Sequence, residues 1–194
     1  MIIKSKSYKH NKAFKTVVNY VLREAEQDDS FVLTRFIKGK EVKAEEISKQ
    51  FLQNEQHRVN PRKNNVKLYM EILSFKKENT KDLDNNKLKK IARQYLKLRS
   101  PLSVALVTAH KKEKDHVHLH ILLSGVEYKT GKSVRISRDD FKNKVKIPAE
   151  NYVRKHFPEL ELSAINHQKA LPSKVLTKDV ELQMKARGVV SDKQ

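Results

Sequence analysis

The chain has 194 residues, 42 Lys and Arg against 23 Asp and Glu, a formal net charge of +19 and no cysteine; this excludes disulfides and thiolate metal sites and points to a polyanionic partner, because neutralising phosphates releases counterions. Charged residues make up 34% and hydrophobic residues 38%, a polar composition that still allows one domain with a core. No run of about 18 apolar residues occurs and no apolar leader follows Met1, so a cytoplasmic protein is expected.

A short strand opens the chain near Met1. Asn11 is placed to cap a helix from Lys12 to Glu26, in which Phe14, Val17, Val18 and Val21 form a stripe at helical spacing. A second helix is predicted from Ala44 to Gln56, with Ile47, Phe51 and Leu52 inward. Residues 58–65 read as a basic loop, and Val66 to Phe75 as a strand. A third helix spans Asn85 to Arg99: Leu88, Ile91, Ala92, Tyr95 and Leu96 share one face, and Lys87, Lys89, Lys90, Arg93 and Lys97 cover the others. Leu102 to His110 reads as a strand. Lys111 to Asp115 is then a hairpin loop of ordinary length before a further strand.

Beyond Gly125 come a turn at residues 129–131 and a short strand from Ser133 to Ile136. Ser137 and Asp140 resemble a capping box, Pro148 can open a helix that ends near Phe157, and Pro172 to Arg187 reads as a last basic helix stopped by Gly188. The expected fold is α+β: a central antiparallel β-sheet covered by helices on one face, with histidines on the open face. Residues 1–170 form the expected main domain. Residues 171–194 are a basic C-terminal helix that begins a further region, as if cut from a longer protein.

Four of the eight histidines lie in one stretch: His110, His116, His118 and His120. Val117, Leu119, Ile121 and Leu123 alternate with the later three, the period of a half-buried strand. If His110 and His116 close the hairpin, all four imidazoles line one side of a two-stranded ribbon. The bland alternative is a polar outer face with His116 solvated. Three neutral imidazoles on a rigid sheet can hold a divalent ion and leave positions open for a ligand. Such an ion polarises a phosphoryl oxygen or activates water, and the charge makes a phosphodiester the first substrate to consider. With no cysteine present, a tyrosine or serine would serve as a side-chain nucleophile. Tyr20 flanks the apolar stripe of the first helix and could reach a sheet face. Tyr95 lies within a core stripe, and Tyr8 is a second candidate.

These residues carry a resemblance to the relaxase (mobilization nuclease) family of the HUH endonucleases. That group is marked by two histidines around one bulky hydrophobic residue, as in His118-Leu119-His120, and relaxases add a third on the neighbouring strand, which His110 matches. NYVLREAE around Tyr20 resembles the motif of the nucleophilic tyrosine. LYMEILSF, Leu68 to Phe75, resembles the motif between tyrosine and histidines. VELQMKARG near the C-terminus resembles the region after the nuclease core. The departures are a spacing from His110 to His118 one residue longer than the pattern, His116 where asparagine is frequent, Met70 where histidine is frequent, and Ser124 where asparagine is common. The resemblance makes His110 the expected third ligand, with His116 the other candidate.

The resemblance implies that residues 1–170 are a relaxase nuclease domain of a bacterial mobilizable element. His110, His118 and His120 would bind Mg2+ or Mn2+, although three imidazoles on affinity alone favour later transition metals. Tyr20 would attack the scissile phosphate of single-stranded DNA at an origin of transfer, giving a 5′-phosphotyrosyl protein and a free 3′-hydroxyl that later rejoins the strand. Glu71 would hydrogen-bond a ligand histidine or help deprotonate the tyrosine, with Ser74 a weaker candidate. The implied partners are an accessory mobilization protein and a secretion-system coupling protein. Arg58, Arg62 and Lys63 in the loop and Lys89, Lys90 and Arg93 on the third helix are the candidate DNA contacts, with affinity expected to fall steeply with salt. Two other functions fit parts of the pattern. A rolling-circle replication initiator uses the same chemistry but places its tyrosine after the histidines, where Tyr128 and Tyr152 stand. A non-catalytic basic nucleic-acid-binding protein would ignore the histidines and metal.

Overall fold

The computed structural model describes residues 1–28, 30–39, 43–111 and 117–163. His116, most of the predicted hairpin loop and the predicted tail helix lie outside the described residues. In chain order the elements are β1 (Ile2–Tyr8), α1 (Lys12–Gln27), β2 (Val32–Arg35), α2 (Ala44–Gln56), β3 (Leu68–Ser74), α3 (Asn85–Arg99), β4 (Ser103–His110), β5 (His118–Glu127), α4 (Arg138–Asp140) and α5 (Ile147–His156). The five strands form one antiparallel sheet in the order β1-β3-β5-β4-β2. The α+β, antiparallel expectation holds.

The coverage of the sheet differs from expectation: helices lie on both faces. Leu68, Met70, Val104, Leu106 and Leu122 pack with Phe14, Val17, Val18 and Val21 of α1 and Ile47 and Phe51 of α2. Their odd-numbered neighbours Leu73, Ala105, Val107, Leu119, Ile121 and Leu123 pack with α3 and with Ala149 and Val153 of α5. Successive strand residues face opposite sides, so these are two faces of one sheet. The reason lies in composition. β4 is buried at every position, and strands apolar on both sides need a layer on each. The histidines therefore share their face with α1 and α2.

Local details refine the sequence reading. α1 starts at Lys12, but the Asn11 side chain does not cap it; its Oδ1 accepts from Lys67 Nζ at 2.7 Å. Ser137 does cap, its Oγ accepting from the Asp140 amide at 3.0 Å. From α4 the chain continues through π-type turns at Phe141–Lys146 into α5, with Pro148 in its first turn. Residues 133–136 form no strand, only a bridge between Ser133 and Val126. Gly125 is required by close approach: a Cβ there would lie 2.0 Å from the Val66 carbonyl oxygen.

Under α3 lies a buried ion pair. Arg99 Nε donates to Glu71 Oε1 at 2.8 Å, Tyr95 Oη to Glu71 Oε2 at 2.7 Å, and Ser5 Oγ to Oε1 at 3.2 Å. The Glu71 side chain is 0% exposed and that of Arg99 2%. Burial, then the Glu71 charge, pushes the Tyr95 phenol well above its ordinary value. Removing one partner of such a pair strands a desolvated charge. Arg99→Leu is expected to cost about 3–5 kcal/mol in urea unfolding; a loss within the noise of that measurement would show that the pair does not hold α3 to the sheet.

Candidate active site

Three histidines meet at one end of the central strands. His110 ends β4, His118 begins β5, and the register sets them directly opposite each other. His120, two residues on, faces the same way. The ring centroids are 6.5 Å apart for His110 and His118, 5.9 Å for His110 and His120, and 6.4 Å for His118 and His120. The expected hairpin closure of His110 on His116 is corrected by two residues. Val117 is committed to the other neighbour, its carbonyl accepting from the Phe75 amide at 2.9 Å, and its side chain is buried in the α3-side core.

The immediate surroundings tune these rings. Ser74 sits opposite His118 in the β3 register, and its Oγ lies 3.2 Å from His118 Nδ1. His120 is 5% exposed, and its Nδ1 is buried with no hydrogen-bond partner among the described residues. Burial first, then the neighbouring His110 and His118, lowers the His120 pKa from 6.5 to about 4. The ring is thus a neutral nitrogen donor at neutral pH.

Helix α1 brings the other groups. The Tyr20 ring meets His120 edge-on, with centroids 5.9 Å apart, and is 39% exposed. One and two turns further on, Glu24 and Asp28 reach His110: Nε2 lies 3.1 Å from Glu24 Oε2 and 3.4 Å from Asp28 Oδ2. Asp28 also accepts from the Lys111 amide at 2.6 Å. Sequence reasoning missed both carboxylates. Their signal was the spacing, since residues 20, 24 and 28 recur on one side of a helix.

This donor set fits a divalent cation in type and number: three imidazoles, one of them neutral with an orphaned buried nitrogen, beside two carboxylates. No three such side chains among the described residues are already closed around one point. A tetrahedral ion about 2.1 Å from each nitrogen needs ring centres roughly 5 Å apart. The observed triangle is about 1 Å wider.

Other expected site residues lie elsewhere. Glu71 points to the opposite face, where Arg99, Tyr95 and Ser5 occupy its carboxylate. Its odd position on β3 puts it out of phase with Ile72 and Ser74, which flank the histidines, so it neither orients a ligand nor deprotonates Tyr20. Arg58 is likewise structural: it is buried, bonded to Glu55 through Nε at 2.7 Å and to the Val66 carbonyl at 2.7 Å. Arg62 and Lys63 are exposed, and Arg62 lines a cleft of about 510 Å3 with Lys132 and Arg135. They sit beyond the end of β3 opposite the histidines. Lys89, Lys90 and Arg93 are on α3, across the sheet from the triad, with Lys89 Nζ 5.3 Å from the Phe31 ring.

The downstream tyrosines are remote. Tyr128 stacks on Phe36 at 5.0 Å, eight residues along from His120 and so roughly 26 Å away at about 3.3 Å per residue. Tyr152 packs on His156 at 4.4 Å on the α3 side of the sheet.

The lowered His120 pKa has a stability consequence. Between about 6.5 and 4 the unfolded chain binds a proton at this site and the folded chain does not, so this group makes stability fall as pH falls through that window. In chelator-treated protein, His120→Gln is expected to flatten the dependence of the unfolding midpoint between pH 6.5 and 4; an unchanged slope would show that His120 titrates normally in the fold.

Comparison with known proteins identifies the family and the fold. Residues 20–152, more than half the chain, match the sequence model of the family described as "Relaxase: MobA/VirD2-like, nuclease domain". The fold is similar to that of the MobM relaxase domain (MOBV; Mob_Pre) bound to 26-nucleotide pMV158 oriT DNA, with a TM-score of 0.55 and 15% identity over 92% of this chain and 97% of that one. No curated protein sequence matches significantly. No helix among the described residues is long and apolar enough to cross a membrane. The chain belongs to the MobA/VirD2-like relaxases, whose nuclease domain it carries.

Proposed function

We propose that this protein nicks one strand of DNA at an origin of transfer, with Tyr20 as nucleophile, and later rejoins that strand during conjugative mobilization. The observation that carries this reading is the edge contact between Tyr20 and His120, beside the cross-strand pair of His110 and His118. Among the described residues, Tyr20 is the tyrosine in ring contact with this triad. The remoteness of Tyr128 and Tyr152 speaks against the chemistry of a rolling-circle initiator with a downstream tyrosine.

In the proposed reaction Tyr20 Oη attacks phosphorus in line and its proton leaves to solvent. The bond from phosphorus to the 3′-oxygen breaks and that oxygen takes a proton from solvent, giving a 5′-phosphotyrosyl protein and a 3′-hydroxyl. Attack by a 3′-hydroxyl reverses these steps and restores Tyr20. The phosphodiester is conserved throughout, so no nucleotide cofactor is consumed. His110, His118 and His120 would hold Mg2+ or Mn2+, which when bound withdraws charge from the scissile phosphate. The rigid sheet keeps the three rings on one side, and α1 sets the phenol beside them, so the protein's own contribution is orientation.

The substrate on this reading is single-stranded DNA. Exposed Arg62 and Lys63, and Lys89, Lys90 and Arg93 on α3, are its candidate phosphate contacts; the buried Arg58 is not among them. An accessory mobilization protein and a secretion-system coupling protein complete the proposed partners.

The test uses labelled single-stranded oligonucleotides spanning candidate transfer origins, Mn2+ and a denaturing gel. Wild-type protein is expected to form a covalent adduct that maps to Tyr20 by mass spectrometry and is lost with chelator. Tyr20→Phe is expected to reduce the adduct to background. An adduct of wild-type yield in Tyr20→Phe, or cleavage without any adduct, would overturn the assignment.

A further inference from the structure

The contact between His110 and the acidic side of α1 has a specific chemical meaning. His110 Nε2 faces two carboxylate oxygens, Glu24 Oε2 at 3.1 Å and Asp28 Oδ2 at 3.4 Å. An ionised carboxylate only accepts hydrogen bonds, and a neutral imidazole carries one N–H and one lone pair. A nitrogen set between two such acceptors is matched to them as a donor. The site is sheltered: the exposures of the three side chains are 9% for His110, 19% for Glu24 and 2% for Asp28. Asp28 is held further by the Lys111 amide, which fixes its carboxylate where the end of α1 meets the end of β4.

We propose that Glu24 and Asp28 are positioning residues of the metal centre: by accepting from Nε2–H of His110 they fix the tautomer and orientation of that ring and leave Nδ1 as its lone-pair nitrogen. This rests on the reading of the histidine triad as a metal site. An outer carboxylate raises the basicity of a ligand imidazole and holds its plane. The arrangement also places two carboxylates beside the nitrogen set, in a chain whose net charge of +19 repels cations. Tyr20 and Glu24 share α1 and Asp28 caps its C-terminus, so this helix aligns the phenol and the third ligand together.

The experiment uses the full chain, Mn2+ as probe and two readouts. Long-range 1H–15N NMR of the chelated protein reports which His110 nitrogen carries the proton, and calorimetric titration reports Mn2+ affinity. Glu24→Ala is the primary variant, because Asp28 also anchors the Lys111 amide. The wild type is expected to show the proton on Nε2. Glu24→Ala is expected to lose part of that preference and to bind Mn2+ about 10- to 100-fold more weakly, with its thermal midpoint in chelator unchanged. Glu24→Gln keeps an accepting oxygen without the charge and is expected to fall between the two; it carries the test if Glu24→Ala unfolds.

A wild-type His110 protonated on Nδ1 alone, or equal Mn2+ affinity and tautomer in wild type and variants, would overturn the proposal. If the wild type binds no Mn2+, the metal reading of the triad falls, and with it the metal half of this inference, while the NMR readout still decides whether the carboxylates set the tautomer.

Discussion

The register of β5 is the constraint on which the rest depends. β5 is the middle strand, paired with β3 on one side and β4 on the other. Its even positions carry His118, His120 and Leu122 toward α1 and α2; its odd positions carry Leu119, Ile121 and Leu123 toward α3. A slip of one residue would exchange the two sets and bury the imidazoles beneath α3. At the far end, the near contact of Gly125 with the Val66 carbonyl admits no side chain, and the Gly125 amide donates to the Lys67 carbonyl at 2.8 Å. The strand is thus pinned at one end by backbone contact and bears the histidines at the other.

The two faces use acids differently. On the α3 side, Glu71 is matched by a guanidinium, which stays charged at any working pH. That pair, with Tyr95 and Ser5 completing its hydrogen bonds, has no spare valence and holds layers together. On the α1 side, Glu24 and Asp28 face an imidazole, a partner able to change its proton count and to accept a cation. Similar side chains therefore tie layers together on one face and meet a histidine on the other. The difference follows from strand parity and from the helix that covers each face.

Much of this was legible in the sequence because it rests on periodicity. α2 and α3 carry apolar stripes at helical spacing and have the predicted limits, and the alternation through Leu119 to Leu123 marks β5 and its histidine face. β2 went unseen: four residues at an edge carry too short a pattern to distinguish a strand from a loop. Glu71 was misassigned because proximity in sequence to a motif says nothing of face, and its odd position on β3 decides against the site. Arg58 looked like a loop cation, but a buried pairing with Glu55 three residues earlier is invisible until the chain turns back on Val66. The two-sided helical cover was hidden for a related reason. β4 is apolar throughout, which signals cover on both sides, yet the polar histidines at its end suggested an open one.

The geometry of α1 has a consequence for how this chain can vary. Tyr20, Glu24 and Asp28 are spaced by one helical turn each, and each addresses a histidine on the sheet. Substitutions between them leave that alignment in place. One inserted or deleted residue between positions 20 and 28 turns the flanking parts of the helix about 100° relative to each other, so Tyr20 and the carboxylates could no longer face the sheet together. Over this stretch the length of the chain is fixed more tightly than its composition: a change of reading length is lethal to the arrangement where a change of side chain is merely graded.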